Sequence, residues 1–254
     1  LLSPYFSLLF AFSAMLSSGG SAIVMRKLGE QKESEAKQDF TALILLNLFL
    51  GIFFTVIGVL FSEPLTTVFG ASPQVTLYCK EYLFYYALSA IPTLLMSNLQ
   101  VYVVAANNPV LAFGVSLSAG LVNVGLDYLF VAAAGWGVKG AAIATGFSSL
   151  IPTVICIIYF FKKSRLLYFV KPVFRIRTLI DSAANGMSEM ATTLVSGINA
   201  LLMNQALLRY AGENGVAAYT VIYYVFSAMT ALYIGYIYGA APIISYNYGQ
   251  RDTD

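Results

Sequence analysis

The 254-residue sequence predicts an all-α integral membrane protein, a polytopic helical bundle with seven spans. Three observations predict it. Hydrophobic residues make up 59% of the chain and charged residues only 10%, with a mean hydropathy of +0.76, whereas a globular domain carries about 25% charged residues. The 14 basic and 12 acidic groups cannot cover a water-soluble surface of this size. The charges fall in clusters, and the apolar stretches between them have the length of about 20 residues that a helix needs to cross the hydrocarbon core. Lastly, Lys and Arg concentrate in alternate connections, as the positive-inside rule requires.

In order along the chain, the charge-free runs 1–25 and 40–62 are the first two spans. From Tyr82 to Val138 the only charge is Asp127, and Asn107-Asn108-Pro109 is a turn signal in the middle of that run. Spans over 82–105 and 110–134 fit there, followed by 140–161, 181–208 and 215–245. Pro92 and Pro152 sit mid-span and are expected to kink their helices. The connections 26–39, 104–110, 162–180 and 246–254 hold eleven Lys or Arg, and the alternate ones hold only Lys80, Lys139 and Arg209. The first set is therefore expected inside, with the first span running from outside to inside after at least one earlier helix. No basic segment precedes the opening apolar run, so it reads as a span rather than a signal peptide, and the chain as an interior piece of something longer. Residues 162–180 are basic and amphipathic and are expected to lie along the inner headgroup surface as a linker. That divides the chain into 1–161, an N-terminal lobe, the linker 162–180, and 181–254, the start of a C-terminal lobe.

A weak internal repeat supports the division. A shift of 220 residues places Phe6-Ser7 on Phe226-Ser227, Ala11 on Ala231, Gly19 on Gly239, Ile23 on Ile243 and Gly29 on Gly249. The repeat unit holds six helices, an even number, so the copies are parallel, a transporter signature.

Much chemistry is excluded. The chain has no histidine, which removes imidazole metal sites, Ser-His triads and histidine proton relays. Cys79 and Cys156 are far apart and predict free thiols. GxSxG, HExxH, P-loop and GxGxxG signatures are missing, so the chain reads as no enzyme. No basic run with interleaved aromatics points to nucleic acid.

An ionisable group at mid-bilayer costs about 2.5–3.5 kcal/mol on insertion scales and marks function by default. Asp127 lies roughly 10 Å from the outer end of its span, with Asn123 one turn earlier on the same face and Thr145 of the next span at about the same depth. Carboxylate, amide oxygen and hydroxyl at one level suit a proton or a small hard cation; the alternative role is a neutral Asp127 bonded to Asn123 that holds helices together. Glu189, about 12 Å in from the inner end of its span, is a candidate coupling or substrate acid; its alternative is a charge complementing the helix dipole. Tyr223 and Phe226 share a helix face with Tyr219, as the wall of a cavity for organic cations or as part of an interfacial aromatic belt.

Four segments carry a resemblance to a known family: the Gly-rich end of the first span with LGEQKESEA, the NVGLDYLF and GVKGAAIAT block, residues 185–222, and GAAPIISYNYGQ. Together they resemble the multidrug and toxic compound extrusion (MATE) family of cation-coupled antiporters over essentially the whole chain. The resemblance implies twelve helices in two parallel six-helix lobes, of which this chain holds the second to eighth, in a multi-pass protein of the bacterial plasma membrane with a cytoplasmic linker. It implies export of organic cations or drugs in exchange for H+ or Na+ by alternating access, with no other cofactor. Asn123, Asp127 and Thr145 would match the cation site of the N-terminal lobe, including Na+ as a possible metal. The family's partner acid lies on the first helix, outside this sequence. Glu189 resembles an acidic position of the seventh helix in some members, with a spacing from Gly186 that departs from the Na+-coupled branch. A lipid-linked oligosaccharide flippase of the same superfamily is the alternative. Its pyrophosphate cavity would need Lys or Arg, and no basic residue lies deep in a span.

Overall fold

Residues 2–68, 73–163 and 165–250 are described by the computed structural model, and every regular element among them is helical. α1 (Ser3–Gly29) carries Pro4 in its first turn, where the missing N–H has no intrahelical partner to lose. It ends in Arg26 and Lys27, cations that complement the helix dipole. A tight turn leads into α2 (Glu33–Leu60). The short α3 (Ser62–Val68), not foreseen from hydropathy, follows it.

The expected single span over 82–105 is a bent pair, α4 (Pro73–Leu88) and α5 (Ala90–Ala105), with 50° between them. The cause is local: Pro92 has no N–H to give the Leu88 carbonyl, so the ladder breaks at Ser89. Pro152, by contrast, sits inside an uninterrupted α7 (Gly137–Phe161). There the Thr153 hydroxyl lies 2.8 Å from both the Ser149 and the Pro92 carbonyl oxygens, which ties α7 to the bend. α6 (Pro109–Asp127) is capped by the Asn108 side chain, which accepts from the Leu111 N–H at 3.2 Å, and continues as a π-helix over Tyr128–Ala133. α8 (Ile176–Gln250) consists of two arms, 176–211 and 213–250, folded at Gly212. Its φ of 62° and ψ of −160° are open only to glycine.

α1, α2, α6 with its π-helix, α7 and the second arm of α8 are each long and apolar enough to cross a membrane, and the bent pair α4–α5 counts as a sixth span. The stretch 181–208, read as a further span, is helical throughout, but no window among its described residues is as apolar.

Two clusters hold the first lobe together, one near each end of its helices. Near the end that carries the basic connections, Phe40 of α2 packs against Tyr102, Phe160 and Phe169, with ring centroids 4.9, 4.8 and 5.4 Å away. At the opposite end Tyr5 packs edge-on to Phe54 and donates its hydroxyl to the Phe54 carbonyl at 2.8 Å. In lipid such packing and hydrogen bonds take over the role that the hydrophobic effect has in water.

The segment after α7 differs from its reading as an amphipathic strip on the headgroup surface. Apart from position 164, residues 162–175 form an irregular strap docked on the first lobe. Leu167 is fully buried, the Phe169 ring stacks on Phe40, and the Val170 N–H donates to the Thr41 hydroxyl at 3.1 Å. Arg175 closes the strap, with Nη1 on Asp39 Oδ1 at 2.8 Å and Nη2 on Gln38 Oε1 at 2.7 Å. Asp39 is buried and also accepts from Lys27 of α1. Lys27 thus does more than orient the chain: its ammonium joins α1, α2 and the strap. The strap takes no helix because its apolar side chains find the open aromatic cluster and Pro172 lacks a donor. α8 then starts at Ile176, ahead of the expected 181.

Candidate functional site

α1 is the seam between the lobes. Its Gly19 lies against the backbone of Ser182 and Gly186 in the first arm of α8, and Gly197 of that arm lies against Ser7. Small residues let the two backbones approach in this way. Beside this seam α1, α5, α6 and both arms of α8 enclose a cavity of about 580 Å3, within the range of small-molecule sites. α1 supplies Phe10, Ser13 and Ser17, and α5 supplies Ser97 and Gln100. Thr193 comes from the first arm of α8, and Gly235, Tyr238 and Gly239 come from the second. Ser13 and Ser97 share a hydrogen bond of 2.7 Å. The Gln100 Nε2 is buried with no partner in the protein. No charged residue lines this space; its chemistry is hydroxyl, amide and aromatic.

Asp127 stands apart from the cavity. It is the last α-helical residue of α6, at the junction where the helix widens into the π-helix. Widened turns of this kind recur at functional sites because they redirect side chains and loosen the backbone ladder. Its Oδ1 is buried and has no hydrogen-bond partner. Asn123 lies one turn earlier, partly buried like Asp127. On the facing helix Gly140 packs so closely on Phe130 that a Cβ added to it would lie 3.1 Å from the Phe130 backbone. Moving three residues back along α6 and three forward along the antiparallel α7 sets Asp127 level with Ile143, so Thr145 falls in depth between Asn123 and Asp127. The Thr145 hydroxyl meanwhile donates to the Ala141 carbonyl at 3.0 Å. By this count the three residues fall within about 6 Å of depth, one helical turn, and no direct hydrogen bond joins their side chains. Along α6, Asp127 is roughly 16 Å beyond the cavity-lining Ser116.

Glu189 is half-buried on the first arm of α8, and its carbonyl accepts from the cavity-lining Thr193 at 2.9 Å. It lies one turn from the cavity, within electrostatic range of Tyr238. Tyr223 and Phe226 are exposed on the second arm and stand outside the cavity lining, roughly 18 Å or more from Tyr238 along the helix. Composition alone singled out neither the serine-rich face of α1 nor Gln100. Their signal in the sequence is a row of small hydroxyls and one amide inside otherwise apolar spans. Among the described residues no cluster of three or more Cys, Asp or Glu could hold a metal ion. Cys79 and Cys156 are free thiols.

Comparison with known proteins places this arrangement. The chain is 26% identical over 252 residues to the multidrug export protein MepA of Staphylococcus haemolyticus (strain JCSC1435), covering 98% of this chain and 56% of that protein. Among solved structures, the outward-facing conformation of a multidrug resistance MATE family transporter of the MOP superfamily matches with a TM-score of 0.88 at 21% identity, over 98% of this chain and 56% of that one. A MOP superfamily transporter from Pyrococcus furiosus, described by the reverse polarity of its binding pocket, matches with a TM-score of 0.88 at 21% identity and the same coverage. The chain thus spans little more than half the length of the relatives it matches. The MatE family model matches residues 1–129, half of the chain, and with it this multi-pass membrane protein belongs to the MatE family.

Proposed function

We propose that the complete protein is a secondary active exporter that carries organic cations or drugs out of the cell in exchange for H+ or Na+. The observation that carries this reading is the buried, unpartnered Asp127 Oδ1 at the π-helix junction. An acid kept in an apolar span without a structural partner is costly unless a ligand completes it. Asn123 and Thr145, within one helical turn of Asp127 in depth, would add a neutral amide and a hydroxyl oxygen. One carboxylate with neutral oxygens suits a monovalent cation or a proton, and not a divalent ion, which takes more acidic ligands.

The uncharged cavity between the lobes is the drug site in this reading. Phe10 and Tyr238 supply ring surface, Gln100 and the serines supply hydrogen bonds, and Glu189 lends negative charge from one turn away. Cation and drug sites lie well apart along α6, so exchange would run through movement of the lobes rather than by one ligand displacing the other. Each ligand then shifts the balance between outward- and inward-open states by its differential affinity. The eleven basic residues in the connections at one end support the reading of that end, with the strap 162–175, as cytoplasmic. The absence of Lys and Arg from the cavity lining disfavours a flippase of pyrophosphate-linked sugars.

The test is uptake of a fluorescent organic cation by everted vesicles carrying the full-length parent, with an outward drive set by a proton gradient and then by a sodium gradient. Uptake under one gradient, lost in Asp127→Asn with the protein still folded, is the expected result and names the ion. Uptake that survives Asp127→Asn overturns the coupling role. No uptake under either gradient overturns the exporter reading.

A further inference from the structure

The internal repeat makes a geometric statement that the fold can be asked to meet. A shift of 220 residues pairs Arg26 with Tyr246 and Gly29 with Gly249. In the structure these residues meet one another. α1 and the second arm of α8 cross at the basic end, where a Cβ added to Gly29 would collide with the Tyr246 carbonyl oxygen and lie 3.0 Å from the Gly249 Cα. A Cβ added to Gly249 would collide with the Arg26 carbonyl oxygen and lie 3.1 Å from the Arg26 Cα. Each glycine rests on the carbonyl three residues before the other. Exchanging the two copies maps this contact onto itself, the hallmark of an isologous interface on a two-fold axis. The axis therefore passes between Gly29 and Gly249.

The contact sits at a boundary. On one side, along the same two helices, is the interlobe cavity, where Gly235 and Gly239 line open space. On the other is a polar cleft of about 730 Å3 at the basic end, bordered by Glu30, Lys32 and Gln250. Between the cleft and the cavity, with a smaller pocket of about 330 Å3 beside Ser18, Ile23 and Ser245 on the cavity side, the two helices touch backbone to backbone.

We propose that Gly29 and Gly249 form the seal that closes the transport cavity toward the basic end, and that this seal parts when the cavity opens to that end. This rests on the reading of the protein as an alternating-access transporter. Glycine is required for a physical reason: any side chain at either position would lie between the two backbones and hold them apart. The open arrangement has no such demand. A methyl group at either glycine therefore penalises only the sealed state and shifts the population toward the open one. Because both residues serve one contact, each substitution alone relieves it, and the second adds little.

The experiment uses the full-length parent with Cys79 and Cys156 changed to Ser and a reporter cysteine in the cavity, Thr193→Cys. A membrane-impermeant maleimide is applied from each face of sealed vesicles, right-side-out and everted. The reporter is expected to react from the face opposite the basic end in the starting protein. Gly29→Ala and Gly249→Ala should each raise labelling from the basic end about tenfold, and the double variant should do no more than either alone. Gly120→Ala, at a position with open space around it, should leave labelling unchanged. Labelling unchanged in both seal variants overturns the proposal, as does a rise in only one of them. Failure of both to fold also overturns it, because a contact that opens in each cycle cannot be what holds the protein together. Labelling reads no transport, so an exporter with unaltered sidedness sinks the seal alone, and altered sidedness without export sinks the exporter alone.

Discussion

Asp39 and Asp127 are both acids near the ends of apolar helices, and their surroundings differ in every respect that matters. Asp39 is buried and fully answered: Lys27 of α1 and Arg175 of the strap reach its two oxygens. Asp127 is partly buried, with one oxygen shielded from solvent and hydrogen-bonded to no group, and Tyr82 within electrostatic range. A buried acid whose two partners come from two other segments of the chain has a structural duty, because each of its oxygens is already taken. A buried acid without partners has room for a ligand. Burial alone marks neither role; the count of partners does.

The largest effect expected from breaking this contrast is on stability, at Asp39. Asp39→Asn removes the charge that Lys27 and Arg175 both answer and leaves the nearly buried Lys27 ammonium with only the more exposed Glu35 carboxylate, 3.1 Å away. Breaking a buried pair from one side costs about 3–5 kcal/mol, so thermal unfolding of the full-length parent in detergent should show a fall in Tm of several degrees or more. The strap should loosen with it, since Arg175 is its last anchor before α8. Asp127→Asn should behave in the opposite way, with a Tm change corresponding to less than about 1 kcal/mol and transport lost. If the two variants exchange these outcomes, the assignment of duties is wrong.

The contrast also shows what could be read before folding. The charge-free runs gave the spans because lipid admits only helices whose backbone groups are satisfied within the segment. Asp127 stood out for the same reason, as a lone charge in a long apolar stretch. Asp39 did not: it lies in a connection crowded with charge, and its role exists only because Arg175, far along the chain, folds back onto it. The strap departs from its reading on similar grounds, since Leu167 and Phe169 find a buried place only where the fold brings Phe40 and Phe160 together. Pro92 and Pro152 share a sequence signal and differ in outcome. The bend at Ser89 appears where a lost hydrogen bond falls near the start of α5, while neighbours on α5 and the Thr153 hydroxyl hold α7 through Pro152. The cavity needed residues from four helices to converge and could not be read from any one of them. The repeat pairs Gly29 with Gly249, but their meeting, like the cavity, exists only in the fold.

The smallest effect belongs to an ion pair that matches the Asp39 cluster in geometry. Lys80 lies 2.6 Å from the Glu63 carboxylate, closer than Arg175 lies to Asp39 at 2.8 Å. Both side chains are exposed, at 45% and 65%. The hydrogen bond from Lys80 holds the Glu63 carboxyl below its ordinary range, so whatever stability the pair contributes is present above that ordinary range and is lost as the pH falls. At neutral pH the contribution is therefore complete, and the comparison is fair. Yet Lys80→Met should leave the Tm at neutral pH within its measurement scatter, because water already solvates and screens both charges and the pair must order two flexible side chains to form. A measurable loss would mean that distance rather than burial decides the worth of these pairs, and the large effect expected at Asp39 could no longer be ascribed to its burial.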